Sequence, residues 1–248
     1  MTYKIETGGK NVYGASVGIL MLESTWPRIM GDTGHAGTWP FPVLYKVVRG
    51  ATAHEVVNNK GKGLNSAFID AAIELVKDGA DGITTTGGFL SLFQRELATH
   101  TGVPVASSSL MQIPLVQNML PPGKRVGVLT INGMRLGAEH LIAAGAPADT
   151  PIVGTENGRE FTRALLGNES SINYALVELD MLDAGREMLR LHPDVGALVL
   201  ECHNMAPYAR KLKIDLGIPV FDVYTFVKWF HSGLEPRNFN VPSSVYKE

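Results

Sequence analysis

Cys202 is the only cysteine among 248 residues, and it stands in LVLECHNMAPYA (198–209), behind an apolar run and beside His203. A lone thiol there is either a reagent, acting through its thiolate, or a small buried side chain that contains sulfur. One cysteine excludes an internal disulfide and any multi-cysteine metal site. The histidines lack metal-ligand spacing, so no metal is expected, and neither GxGxxG nor a P-loop occurs, so TGG is not a nucleotide-binding fingerprint. The neighbours of the thiol carry readings of their own. Glu201 closes an apolar strand, where it either pairs with a cation or becomes a base if burial raises its pKa. His203 either tunes the thiol or points away from it.

The elements that must position these residues follow from pattern. Hydrophobic residues make up 45% of the chain and charged residues 19%, with a net charge of −2, which describes a globular chain with a real core. No face is set out as basic, so nucleic acid and membrane surfaces are poor partners. The first residues lack an apolar signal core, no apolar run reaches the roughly 18 residues of a membrane helix, and a cytoplasmic setting is expected. GASVGILML (14–22) reads as a buried strand. Residues 23–53 form an excursion with Pro27, Pro40 and Pro42 and one short strand, PVLYKVV. Then strands and helices alternate: helix 64–79, strand DGITTT, helix 89–102, strand VPVASSS, strand RVGVLTI, helix 133–145, helix 171–192, strand VGALVLE, helix 206–217, strand IPVFDV and a last helix over YTFVKWFHSG.

The alternation contains a repeat. GVPV (102–105) and GIPV (217–220) align without a gap at an offset of 115, which also carries Gly87 onto Cys202. VGIL (17–20) matches VGVL (126–129) at an offset of 109. The expected fold is α/β: two pseudo-two-fold-related three-layer αβα lobes with parallel sheets and an active-site cleft between them. Residues 1–120 plus 221–248 form the first lobe and 121–220 the second. Ligands of parallel α/β sheets sit at the strands' C-terminal ends, so Gly87 and Cys202 are expected to face each other.

Taken with their order and spacing, VGIL, DGITTTGG, GVPV, RVGVLT, LVLEC and GIPV resemble the aspartate/glutamate/hydantoin racemase superfamily over nearly the whole chain. The resemblance implies cofactor-independent enzymes with one cysteine at the position of Gly87 and another at that of Cys202, one on each face of the substrate's α-carbon. Gly87 departs from that pattern. A single thiol opposite glycine is similar to arylmalonate decarboxylase, in which loss of carbon dioxide makes the carbanion and one cysteine protonates it; its first-half turn resembles GGFLSLF (87–93), whereas the excursion has no clear counterpart there.

The resemblance implies an enzyme acting at the α-carbon of a small carboxylate (an amino acid, a hydantoin or a substituted malonate), with Cys202 as the catalytic proton carrier. Strand-to-helix turns offer unpaired N–H groups to a carboxylate or enolate, and positive helix ends would favour the thiolate. The candidate substrate-binding residues are Ser24 and Thr25 after the first strand, Thr86, Gly87 and Gly88 at the first turn, Thr130 and Asn132 after RVGVL, and His203 and Asn204 beside the thiol. Arg28 either clamps a second carboxylate or is solvated. Two further readings stay open: a racemase with a non-cysteine second base, such as Glu23 or Thr86, and a racemase-like binding protein without chemistry. The small carboxylate is the one partner expected; self-association is left open.

Overall fold

The computed structural model describes residues 7–239. The outermost parts of the first-lobe assignment, 1–6 and 240–248, lie outside the described residues. Two four-stranded parallel sheets with flanking helices make the fold. In the first sheet the order is β2 (Val43–Val48), β1 (Val17–Leu22), β3 (Gly82–Thr85), β4 (Val105–Ala106). In the second it is β6 (Ile152–Gly154), β5 (Arg125–Thr130), β7 (Val195–Leu200), β8 (Val220–Phe221), the same order again. The helices are α1 (Ala53–Asn58), α2 (Asn65–Asp78), α3 (Gln94–Thr101) and α4 (Ile113–Met119), then α5 (Ala138–Ala143), α6 (Phe161–Leu166), α7 (Tyr174–Leu191), α8 (Ala209–Leu216) and α9 (Val223–Leu234).

The repeat holds at residue level. Val17 lies opposite Gly82 in the first sheet and Val126 opposite Ala197 in the second, the register that the two offsets require. Each half then makes a six-residue 3₁₀ turn, Gly88–Phe93 or His203–Tyr208, and an eight-residue helix, α3 or α8. Both helices stop on a left-handed residue, Gly102 at φ 67° and Gly217 at φ 70°, which glycine adopts without a Cβ clash.

The central strands are apolar because both of their faces are covered. Gly18 of β1 packs under Leu75 of α2, and Gly82 of β3 packs under Phe230 and Leu234 of α9. Helix α9, next to the second half in sequence, therefore lies on the first sheet, where Val223 and Val227 join Val17, Ile19 and Trp39. In the second half, Met188 of α7 covers Gly127 of β5, and Leu212 and Leu216 of α8 pack on Gly185.

Several elements are shorter than their patterns suggest, and the larger differences have local reasons. The strand expected over VPVASSS ends at Ala106, because Ser108 accepts from the Leu110 amide and turns the chain into a 3₁₀ segment. The helix expected over 133–145 begins only at Ala138; Asn132 Oδ1 accepts from the Met134 and Arg135 amides and holds a turn there first. The helices expected over 89–102 and 206–217 each open as the 3₁₀ turns described above. Four short elements, α1, α4, β6 and α6, carry no periodicity long enough to read.

Ser109 ties the halves together. Its hydroxyl donates to Leu200 O at 2.6 Å and to Glu201 O at 3.1 Å, at the end of β7. Ser109→Ala leaves these buried carbonyls short of a donor, and we expect a loss of about 1–3 kcal/mol in urea unfolding with an unchanged m-value. An unchanged midpoint would show that this bond does not hold the seam.

Candidate active site

Three turns end in one cavity at the seam between the lobes. Thr86–Phe89 follow β3, Ile131 follows β5, and Glu201, Cys202 and Asn204 follow β7; Leu22, Trp26, Ala53, Val56, Val57 and Leu165 complete the wall. The cavity measures about 30 Å³, room for a water or two and too little for a carboxylic acid until the lips part. The lips are latched from outside. The Thr25 amide donates to Asn168 Oδ1 at 2.8 Å, its hydroxyl to Asn168 O at 2.6 Å, and Tyr174 Oη to Pro27 O at 2.9 Å. These bonds are exposed, so opening exchanges them for water at small net cost.

Gly87 and Gly88 hold different places. A Cβ on Gly88 would stand 2.2 Å from Glu201 Oε1 and 2.4 Å from Glu201 O, so no side chain fits there. A Cβ on Gly87 would meet Leu22 Cδ1 at 3.3 Å and Leu90 Cδ1 at 3.4 Å, both ends of flexible side chains. The backbone of the first turn thus lies directly against the carboxyl of the second.

Glu201 is 1% exposed. Thr130 donates to its Oε2 at 2.6 Å, and the Ile131 and Phe89 amides support it. Burial outweighs these bonds and pushes its pKa up to about 7. Cys202 lies beside it. Burial, then the Glu201 charge, raise the thiol well above its ordinary range; the Asn204 amide and Arg28 oppose this and do not reverse it. The helix-end bias toward thiolate expected above therefore loses to desolvation, and the resting group is a thiol. Sγ donates to Asn204 Oδ1 at 3.7 Å. Asn204 Nδ2 donates to Asp32, whose other oxygen accepts from Arg28 Nη1 at 2.7 Å and the Gly34 amide at 2.8 Å. The excursion thereby fixes which way the Asn204 amide faces.

Of the residues singled out in the sequence, Glu201, Cys202, Thr86, Gly87, Gly88 and Asn204 line the cavity. Ser24 accepts from Arg28 Nη2 at 2.9 Å, Thr25 sits in the latch, Thr130 holds Glu201, and Asn132 caps its own turn. His203 lies beneath the site, 1% exposed; burial lowers its pKa to about 4 against the opposing pull of the Thr85 backbone and keeps it neutral. Arg28 is paired with Asp32, and Glu23 with Arg49 and the Gly50 amide. Sequence reasoning missed Trp26, Asp32, Val56, Val57 and Leu165. Only the tryptophan and aspartate in ESTWPRIMGD offered a signal, as large or charged residues in a long excursion.

No family model matches the chain. A dimethylsulfoniopropionate lyase of Durusdinium sp. clade D is 26% identical over 231 residues, 90% of this chain and 76% of that protein. Dimethylsulfoniopropionate lyase 6 of Emiliania huxleyi is 30% identical over 219 residues, 85% of this chain and 57% of that protein, so the chain spans little more than half of that relative. Among solved structures, unliganded arylmalonate decarboxylase aligns with a TM-score of 0.55 at 15% identity, covering 89% of this chain and 92% of the other. Allantoin racemase from Pseudomonas fluorescens aligns at 0.53 and 15%, covering 88% and 90%. The chain has the fold of the aspartate/glutamate/hydantoin racemase superfamily. Like these relatives and neighbours, it is an enzyme. No helix among the described residues is long and apolar enough to cross a membrane.

Two measurements check this geometry. Gly88→Ala drives a methyl into Glu201 and should abolish folding or lower Tm by more than about 8 °C, whereas Gly87→Ala should stay within a few degrees of the parent. Equal effects would contradict the packing. Glu201 has a folded pKa above its ordinary 4.5, so its contribution to stability is present below about pH 4.5 and is lost as pH rises through about 7. Glu201→Gln should therefore gain on the parent by on the order of 3 kcal/mol between pH 5 and 8.5. A pH-independent difference would contradict the buried carboxyl.

Proposed function

We propose that the chain is a cofactor-independent lyase that removes the α-proton of a small carboxylate and expels a leaving group from the β-carbon, with Cys202 as the proton carrier. Dimethylsulfoniopropionate, the compound in the relatives' name, is the substrate we favour. The observation that carries the reading is one cavity-lining thiol opposite the bare backbone of Gly87. An elimination needs a base on one face of the α-carbon only. A two-base racemisation needs a second group, and the alternatives are engaged: Thr86 Oγ1 accepts from the Leu22 amide at 2.8 Å and Glu23 is tied to Arg49.

In the step itself, the α-hydrogen leaves as a proton to sulfur. The C–H pair becomes the new C=C bond, and the Cβ–S pair departs with neutral dimethyl sulfide, leaving acrylate. Leu22, Val56, Val57 and Leu165 offer the apolar wall that such a leaving group suits. The resting thiol must first lose its own proton. Glu201, ionised above about pH 7, is the adjacent acceptor, and a sulfonium cation brought into the cavity favours the charged forms of both groups. The substrate thus helps to generate its own base.

Decarboxylation of a substituted malonate is the second reading, favoured by the protonated resting state of Cys202. It has to bring two carboxylates beside Glu201 and Asp32, which a zwitterion does not.

Headspace detection of dimethyl sulfide from dimethylsulfoniopropionate tests the proposal. Cys202→Ala should lower kcat/KM by at least about a hundredfold. In the parent, log kcat/KM should rise with unit slope and level off near pH 7, and Glu201→Gln should erase that limb. Undiminished dimethyl sulfide release from Cys202→Ala contradicts the assignment. Carbon dioxide from a malonate panel with no dimethyl sulfide favours the second reading.

A further inference from the structure

Trp26 carries a buried donor without an acceptor. The residue is 6% exposed and lines the cavity, and its Nε1 finds no hydrogen-bond partner among the described protein groups. Buried indole N–H groups ordinarily find one. Trp39, in the same excursion, donates to Thr33 O at 3.2 Å. The other buried side-chain atoms in the same condition belong to Thr33, Asn65, His140 and His203, and none of these residues lines the cavity.

One cation stands beside Trp26, its charge shared with Asp32. The Arg28 guanidinium sits over its ring, 5.1 Å from the centroid. The remaining polar side chains of the wall, Thr86, Glu201, Cys202 and Asn204, either accept from protein donors or carry the proton chemistry. The neighbours of Trp26, Thr25 and Pro27, are two of the points at which the excursion is fastened to the second lobe, Asp32 with Asn204 being another. The indole is therefore flanked in sequence by two bonds that cross between the lobes.

We propose that the Trp26 indole N–H holds the substrate's carboxylate, which makes Trp26 the specificity residue that selects acids and orients the α-carbon toward Cys202. The proposal rests on the cavity being the substrate site. It gives the excursion a function that the second half lacks, because the equivalent β5–β6 connection, residues 131–151, contains no tryptophan.

The test uses propionate, an unreactive acid, and the full chain labelled with ¹⁵N. The three tryptophans give three indole signals; that of Trp26 is assigned by its loss in Trp26→Phe or, if that variant does not fold, by elimination with Trp39→Phe and Trp229→Phe. Propionate should shift the Trp26 signal downfield, saturably, with Trp39 and Trp229 unmoved, and propionamide at the same concentration should shift it less. In turnover, Trp26→Phe should raise KM by about ten- to a hundredfold while kcat changes by less than about threefold. Competitive inhibition by propionate with a stationary Trp26 signal overturns the proposal and leaves the Cys202 reading intact. Loss of dimethyl sulfide release in the parent, with Trp26 still responding to propionate, does the reverse. No shift of the Trp26 signal by propionate, together with no dimethyl sulfide release in the parent, overturns both.

Discussion

A carboxyl and a thiol share a seam from which water is almost excluded, and the rest of the site answers to that exclusion. Charged forms are costly there, so Glu201 is held near neutrality and Cys202 as a thiol. The seam tolerates these groups because each has partners from both halves. Thr130, the Ile131 amide and the Phe89 amide meet Glu201, and Asp32 reaches the thiol through Asn204. Gly88 follows from the same constraint, since a side chain there would take the space of the carboxyl. A site of this kind changes its protonation when charge enters it, which is a useful property for chemistry that begins and ends with a proton.

The duplicated architecture divides the labour unequally. Both halves present a strand end, a 3₁₀ turn and a helix in the same register. At equivalent positions the first half offers Thr86, Gly87 and Gly88, and the second Glu201, Cys202 and His203. One side is therefore bare backbone and the other carries the titratable groups. The excursion 23–53 adds the latch and an indole. Chemistry on one face of a carbon is the natural use of so lopsided a pair.

Much of the fold was legible in the sequence because it is written twice. The gapless offset of 115 fixed α3 against α8 and Gly87 against Cys202, and short β-branched apolar runs marked the central strands. Six cavity residues, Thr86, Gly87, Gly88, Glu201, Cys202 and Asn204, sit at the strand ends that the repeat pointed to. The rest was hidden for physical reasons. Elements such as α1, α6 and β6 are too short to show a period. Ser108 reads as a strand residue and Asn132 as a substrate contact, but both act through side chains that cap turns. Trp26, Val56, Val57 and Leu165 meet only in three dimensions, and nothing local distinguishes them from core. The state of the thiol depended on a balance between a turn's dipole and burial, which packing alone decides.

The central claim is that one sulfur works on one face of the α-carbon. It is tested most directly with dimethylsulfoniopropionate carrying deuterium stereospecifically at Cα, with the acrylate analysed by mass spectrometry. Our account expects one enantiomer to give acrylate without deuterium and the other to give acrylate that retains it. Equal loss of the label from both enantiomers would mean that a group other than Cys202 reaches the opposite face, and the one-sided site described above would be wrong.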